Sequence, residues 1–125
     1  MLTRPVHSVI GELPRESIDG GMLTRTAIRG DGHLIAMNWL QPHHDEQPPH
    51  SHPFDQTAFV LEGAMEFDVG AETFLVTAGE VLQIPAGAPH TGRVLGDEPA
   101  FNVDVFAPVR EDYLFLTKHQ DAAFA

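Results

Sequence analysis

His50-Ser51-His52 sets two imidazoles one residue apart, and Gln56 and His90 follow at intervals that would bring four neutral donor groups to one point. Histidines at alternate positions of a strand point to the same face, so both rings can reach a single ion, and the Gln56 amide offers that ion an oxygen. His90 stands just beyond Pro85-Ala86-Gly87, a turn that delivers it as a fourth ligand. Four such ligands leave positions open for water or substrate, as a catalytic rather than a structural metal requires. Imidazole with oxygen suits Fe, Ni, Mn, Cu or Zn, so the residues predict one divalent transition metal without choosing among these. An uncharged amide in the set leaves the ion its full Lewis acidity and weakens its retention. The competing reading is that the four are ordinary polar residues, with Gln56 the relic of a lost site.

The chain contains no cysteine, which removes thiolate ligands, disulfides and cysteine nucleophiles together. His43 and His44 neighbour the cluster, but adjacent side chains of an extended segment point apart, so they are expected on the loop surface or the pocket rim. His7, His33 and His119 fall outside any pattern and are given no role.

A second group lies downstream. Asp104 and Phe106 are two residues apart and so share the strand face opposite Val103 and Val105, and Arg110 follows Pro108. An acid on an inward strand face is costly unless it is paired or working. The structural alternative is an Asp104–Arg110 ion pair that ties down the C-terminal segment.

The elements that must position these residues are short strands. Ten prolines and eleven glycines are scattered between alternating apolar segments, an all-β pattern. Strands are expected at residues 22–29, 34–41, 57–62, 64–69, 74–77, 81–84 and 100–106, with residues 42–49 a loop because Pro48 and Pro49 lack amide donors. A short helical turn is expected over 109–114. Residues 1–20 read as an N-terminal arm, 21–116 as one barrel and 117–125 as a tail.

At 125 residues the chain makes one domain. No apolar run approaches the about 20 residues of a membrane span, and the first residues lack the apolar stretch of a signal peptide, so a cytoplasmic protein with no membrane contact is expected. A net charge of −11 argues against nucleic acid as a partner. It also means that a small anionic substrate would need local positive help from a metal or an arginine, and Lys and Arg together number only seven.

With Gly63, Gly79, Pro85 and Gly87 in register with the histidines, the sequence resembles the two motifs of the cupin family over most of its length. The usual pattern has Glu where Gln56 stands, Gly where His44 stands and Asn where Val94 stands. The resemblance implies a double-stranded β-helix, a jelly-roll barrel, and a homodimer in which the N-terminal arm pairs with a neighbouring subunit. More narrowly, residues 50–63 and 104–114 resemble the pectin-degradation (KdgF-type) cupins, with the likeness running from about Leu34 to Leu114. That family uses a three-histidine, one-glutamine metal site and converts 4,5-unsaturated uronates to linear ketouronates. By position, the resemblance implies Asp104 as acid/base, Arg110 as carboxylate clamp and Phe106 as a pocket wall, acting on a sugar acid. The alternatives are an Fe-dependent dioxygenase of a small molecule and a non-enzymatic cupin that binds a sugar or small acid.

Overall fold

The computed structural model describes residues 1–43, 45 and 47–125. His44, expected at the loop surface or rim, lies outside the described residues. The strands are β1 Glu16–Ile18, β2 Leu23–Arg29, β3 Leu34–Leu40, β4 Asp55–Glu62, β5 Ala64–Val69, β6 Glu72–Thr77, β7 Glu80–Ile84, β8 His90–Val94 and β9 Ala100–Ala107. They form a six-stranded sheet in the order β1-β2-β3-β9-β4-β7 and a three-stranded sheet in the order β6-β5-β8. Every pairing is antiparallel. The fold is the expected all-β jelly roll.

Alternation decides what each strand presents. Along β9 the buried residues are Ala100, Asn102, Asp104 and Phe106, and along β4 they are Gln56, Ala58 and Val60. One apolar cluster, including Leu40, Val60, Met65, Phe67 and Ile84, fills the space between the sheets. A second, of Ala27, Leu34, Ala36, Phe106 and Leu116, has Phe54, Val109 and Tyr113 packed against it.

Two strands were not expected from the sequence. β8 reads His-Thr-Gly-Arg-Val, without the apolar alternation that marks a buried strand, yet it pairs with β5 along its length. Gly92 explains the gap in its pattern, because a Cβ there would come within 2.7 Å of the Phe67 ring. β1 is only three residues long and sits on the edge of β2. The N-terminal arm therefore packs on its own barrel, and Leu2 bridges to Phe124 while the Thr3 amide donates to the Ala123 carbonyl at 2.8 Å. The short helical turn expected over 109–114 is instead a run of 3-10 turns, Glu111–Ala123, which continues through the segment expected as a tail and buries Leu116 and Thr117. Among the described residues, no helix is long and apolar enough to cross a membrane.

Candidate metal centre and its cavity

His50 and His52 do not lie on a regular strand as their spacing suggested, since β4 begins only at Asp55. Pro49 and Pro53 flank them and remove the amide donors a continued ladder would need. The segment is instead stitched to the strand that carries the third histidine. The His50 amide donates to the His90 carbonyl at 2.9 Å, and the His90 amide returns the bond at 2.8 Å. The turn before β8 joins in, with the Gly87 amide donating to the His52 carbonyl at 2.8 Å.

These backbone bonds bring the three imidazoles together, with ligand nitrogens of His50, His52 and His90 all within 4.8 Å of one another. Gln56, on the inward face of β4, adds its Oε1 at 3.1 Å from both His52 Nε2 and His90 Nε2. His43 stands apart, paired at the surface with Asp97 at 2.8 Å.

The hydrogen bonds decide whether these groups fit a cation. His52 Nδ1 lies 2.8 Å from the Phe54 carbonyl and His90 Nδ1 lies 2.8 Å from the Ala88 carbonyl, so each ring donates its proton there. That assignment leaves both Nε2 atoms with lone pairs. The Gln56 amide nitrogen is engaged by the Asp104 carboxylate, which turns its oxygen toward the histidines. Two nitrogen lone pairs and a carbonyl oxygen thus converge, an arrangement that repels itself unless a cation sits among the three. Burial pushes the His50 imidazole down to about 4, with the charges of His90, Arg110, His52 and Arg25 acting the same way. Burial also lowers His90. For His50 and His90 this favours the neutral form that metal ligation requires.

Asp104 sits in the sheet row where its cross-strand neighbours are Ala36 and Ala58, small residues that leave room for what binds it. Asn38 Nδ2 donates to its Oδ2 at 3.1 Å, and Asn102 Nδ2 donates to its Oδ1 at 3.1 Å. Burial raises the carboxyl above its usual range, while the amide bonds from Asn102 and Gln56 pull the other way. The Asp104–Arg110 ion pair considered from the sequence is replaced by another, because Arg110 Nε and Nη2 donate to Asp112 at 2.9 and 3.2 Å. Phe106 is 1% exposed and meets His52, Phe54 and Tyr113 edge-on, backing one metal-ligand candidate while walling the cavity.

One cavity is bordered by His50, Gln56, His90, Asp104, Phe106 and Arg110. It thus brings together every site residue singled out in the sequence except His52, whose Nε2 reaches it through Gln56. Arg25, Asn38 and Tyr113 also line it and were given no role. The available signal for Arg25 was its parity, since it shares a face of β2 with Leu23 and Ala27. The pairing of Arg25 with Asn38, and of Asn38 with Asn102, needs the register of three strands and has no local signature.

A two-sheet antiparallel jelly roll that gathers three histidines which could hold a metal ion defines a class of small β-barrel proteins. The cupin domain profile matches residues 39–106, and the chain belongs to the cupin family. Among curated proteins, it is 30% identical over 88 residues to the H2HPP isomerase of Bacillus subtilis, a stretch covering 70% of this chain and 36% of that protein. It is 38% identical over 63 residues to the polyketide synthase CurC of Streptomyces cyaneus, covering 47% of this chain and 41% of that one. The chain thus spans less than half the length of either relative. Among solved structures, an RmlC-like cupin from Shewanella frigidimarina superposes with a TM-score of 0.75 at 24% identity, covering 90% of this chain and 99% of the other. KdgF from Halomonas sp. superposes with a TM-score of 0.73 at 21% identity, covering 83% and 95%. Likeness at that level of identity speaks for the fold.

Proposed function

We propose that the protein is a metal-dependent enzyme that converts 4,5-unsaturated uronates to linear ketouronates. One observation carries the reading: a buried acid, Asp104, and an arginine, Arg110, open onto the same cavity as the three-histidine cluster. His50, His52, Gln56 and His90 would hold the ion. A bound divalent metal there supplies Lewis acidity to a substrate oxygen. Arg110 holds the substrate carboxylate through the N–H groups that its bonds to Asp112 do not take. Opening the ring takes a proton from the anomeric hydroxyl, breaks the bond from that carbon to the ring oxygen, and returns a proton to C4, so the overall change is an isomerisation. Asp104, whose carboxyl is kept above its usual range by burial, is the group suited to deliver that proton. Phe106 excludes water behind it.

The test is loss of the ultraviolet absorbance of the conjugated double bond when metal-loaded protein meets an unsaturated monouronate. No loss with any of the five candidate metals would sink the reading.

A second reading is cyclisation of a polyketide, favoured by the likeness to the polyketide synthase CurC and to the polyketide cyclase RemF from Streptomyces resistomycificus, and by the apolar residues Leu23, Leu40, Met65 and Phe67 along the cavity. Binding of a polyphenol in preference to galacturonate would select it. We further infer a homodimer that covers the outer face of the large sheet, where Phe59, Leu61 and Val81 are 37%, 48% and 52% exposed. Light scattering that returns the mass of one chain would refute it.

A further inference from the structure

The chain carries 18 Asp and Glu against seven Lys and Arg, so an arginine has carboxylates in excess to pair with. Arg93 takes Glu66 and Asp68, and Arg110 takes Asp112. Arg25 is different. It is half-buried at the cavity wall, and among the described residues its hydrogen-bond partners are both uncharged: the Asn38 Oδ1, which accepts from Nε, and the Tyr113 hydroxyl, which accepts from Nη1 at 2.8 Å. A guanidinium taken partly out of water with no carboxylate bonded to it, and with the buried Asp104 acting on it from beyond Asn38, keeps an electrostatic cost that an arriving anion would relieve.

It is also held still. Asn38 is locked in turn by its bonds to Asn102 at 2.9 Å and to Asp104 at 3.1 Å, so the fork of Arg25 is fixed before any ligand arrives. Its Cζ lies 4.6 Å from the centre of the Tyr113 ring, and that of Arg110 lies 3.8 Å from the same centre. The two cations are therefore neighbours, set by one aromatic platform at the edge of one cavity.

We propose that Arg25 is a second carboxylate-binding residue, which together with Arg110 grips one substrate carboxylate beside Tyr113 and turns the rest of the molecule toward His50, Gln56 and His90. The inference rests on the sugar-acid reading above and deepens it: the cavity selects a monoanionic sugar acid over its neutral counterpart, and Arg25 sets that selectivity.

The experiment titrates metal-loaded wild type, Arg25→Gln, Arg25→Lys and Tyr113→Phe with galacturonate and with galactose by calorimetry, alongside metal analysis and circular dichroism of each variant. Wild type should prefer galacturonate by about 10- to 100-fold, the range of one charge-assisted hydrogen-bond pair. Arg25→Gln should erase most of that preference while galactose affinity and metal content stay level. Arg25→Lys keeps the charge without the fork and should restore part of it, and Tyr113→Phe, which frees the fork, should lose a smaller part. A preference that survives in folded Arg25→Gln overturns the inference, as does a wild type that binds both sugars equally. The two readings fail separately. Arg25-dependent selectivity without turnover of the unsaturated uronate removes the reaction and leaves this site standing. Turnover with unchanged selectivity in Arg25→Gln removes this site alone.

Discussion

The two walls of the cavity are built by different means. On the histidine wall, His50 and His52 are separated by one residue, His90 is tied to His50 by reciprocal backbone bonds, and two of the rings take their tautomer from carbonyls two residues away. On the opposite wall, Arg25, Asn38 and Asn102 come from β2, β3 and β9 and meet Asp104 only because the strand register sets them side by side. A wall fixed by local backbone tolerates loss of one side chain and loses its ligand. A wall fixed by register is a buried polar network, in which removal of one member leaves the others unsatisfied.

The largest expected effect tests the first half of that contrast. His90→Ala should lower metal content by at least about tenfold and take activity to background. The variant should nevertheless melt close to metal-free wild type, because the apolar clusters that hold the sheets together do not include the His90 ring. Elemental analysis and a melting curve on both proteins decide it, and global unfolding of the variant would mark the metal as structural. Next in size is Asp104→Asn, which should cost a factor of about 10² to 10⁴ in turnover with metal content unchanged if the carboxyl moves a proton. Unchanged turnover would end the mechanism as drawn.

The same contrast explains how much could be read in advance. The strands with clean alternation, such as Ala64–Val69 and Ala100–Ala107, were legible to within a residue, because one buried face imposes period two. The histidine cluster was legible for a related reason, since its members announce themselves by type and by short spacing. β8 was hidden because Gly92 yields its place to the Phe67 ring, leaving no side chain to complete the pattern. Arg25 and Asn38 were hidden because nothing in either residue's neighbourhood names a partner 13 positions away. The arm expected to pair with a neighbouring subunit finds partners within its own chain, through the β1–β2 pairing and the Leu2–Phe124 bridge. Polar bridges of this kind leave no hydrophobic signature.

Asn38→Ala probes the register wall with a smaller, structural effect. Asn38 is 2% exposed and donates to both Asn102 and Asp104, so its removal strands two acceptors and should cost about 1 to 3 kcal/mol by urea denaturation. Metal content should hold, since no histidine contacts Asn38 in the hydrogen-bond network. A variant that loses metal and keeps its stability would reverse the assignment of the two walls.

The smallest effect is a pH dependence in which the walls pull in opposite directions. In metal-free protein, His50 is depressed to about 4 against an ordinary value of 6.5, so between those limits the unfolded chain binds a proton that the folded one refuses. Its contribution to stability is full above 6.5 and is lost as pH falls toward 4. Asp104 is raised from 3.8, so above that value the unfolded chain releases a proton that the folded one keeps, and stability falls as pH rises toward its native pKa. Denaturation midpoints measured across pH 4 to 6.5 therefore sum two opposed slopes. His90 is lowered in the same sense, so His50→Gln should remove part of the rising component and Asp104→Asn the falling one, and the two variants should diverge from wild type in opposite senses. Equal slopes in all three proteins would mean that neither wall is coupled to folding through its protons, and the electrostatic half of the comparison would fall.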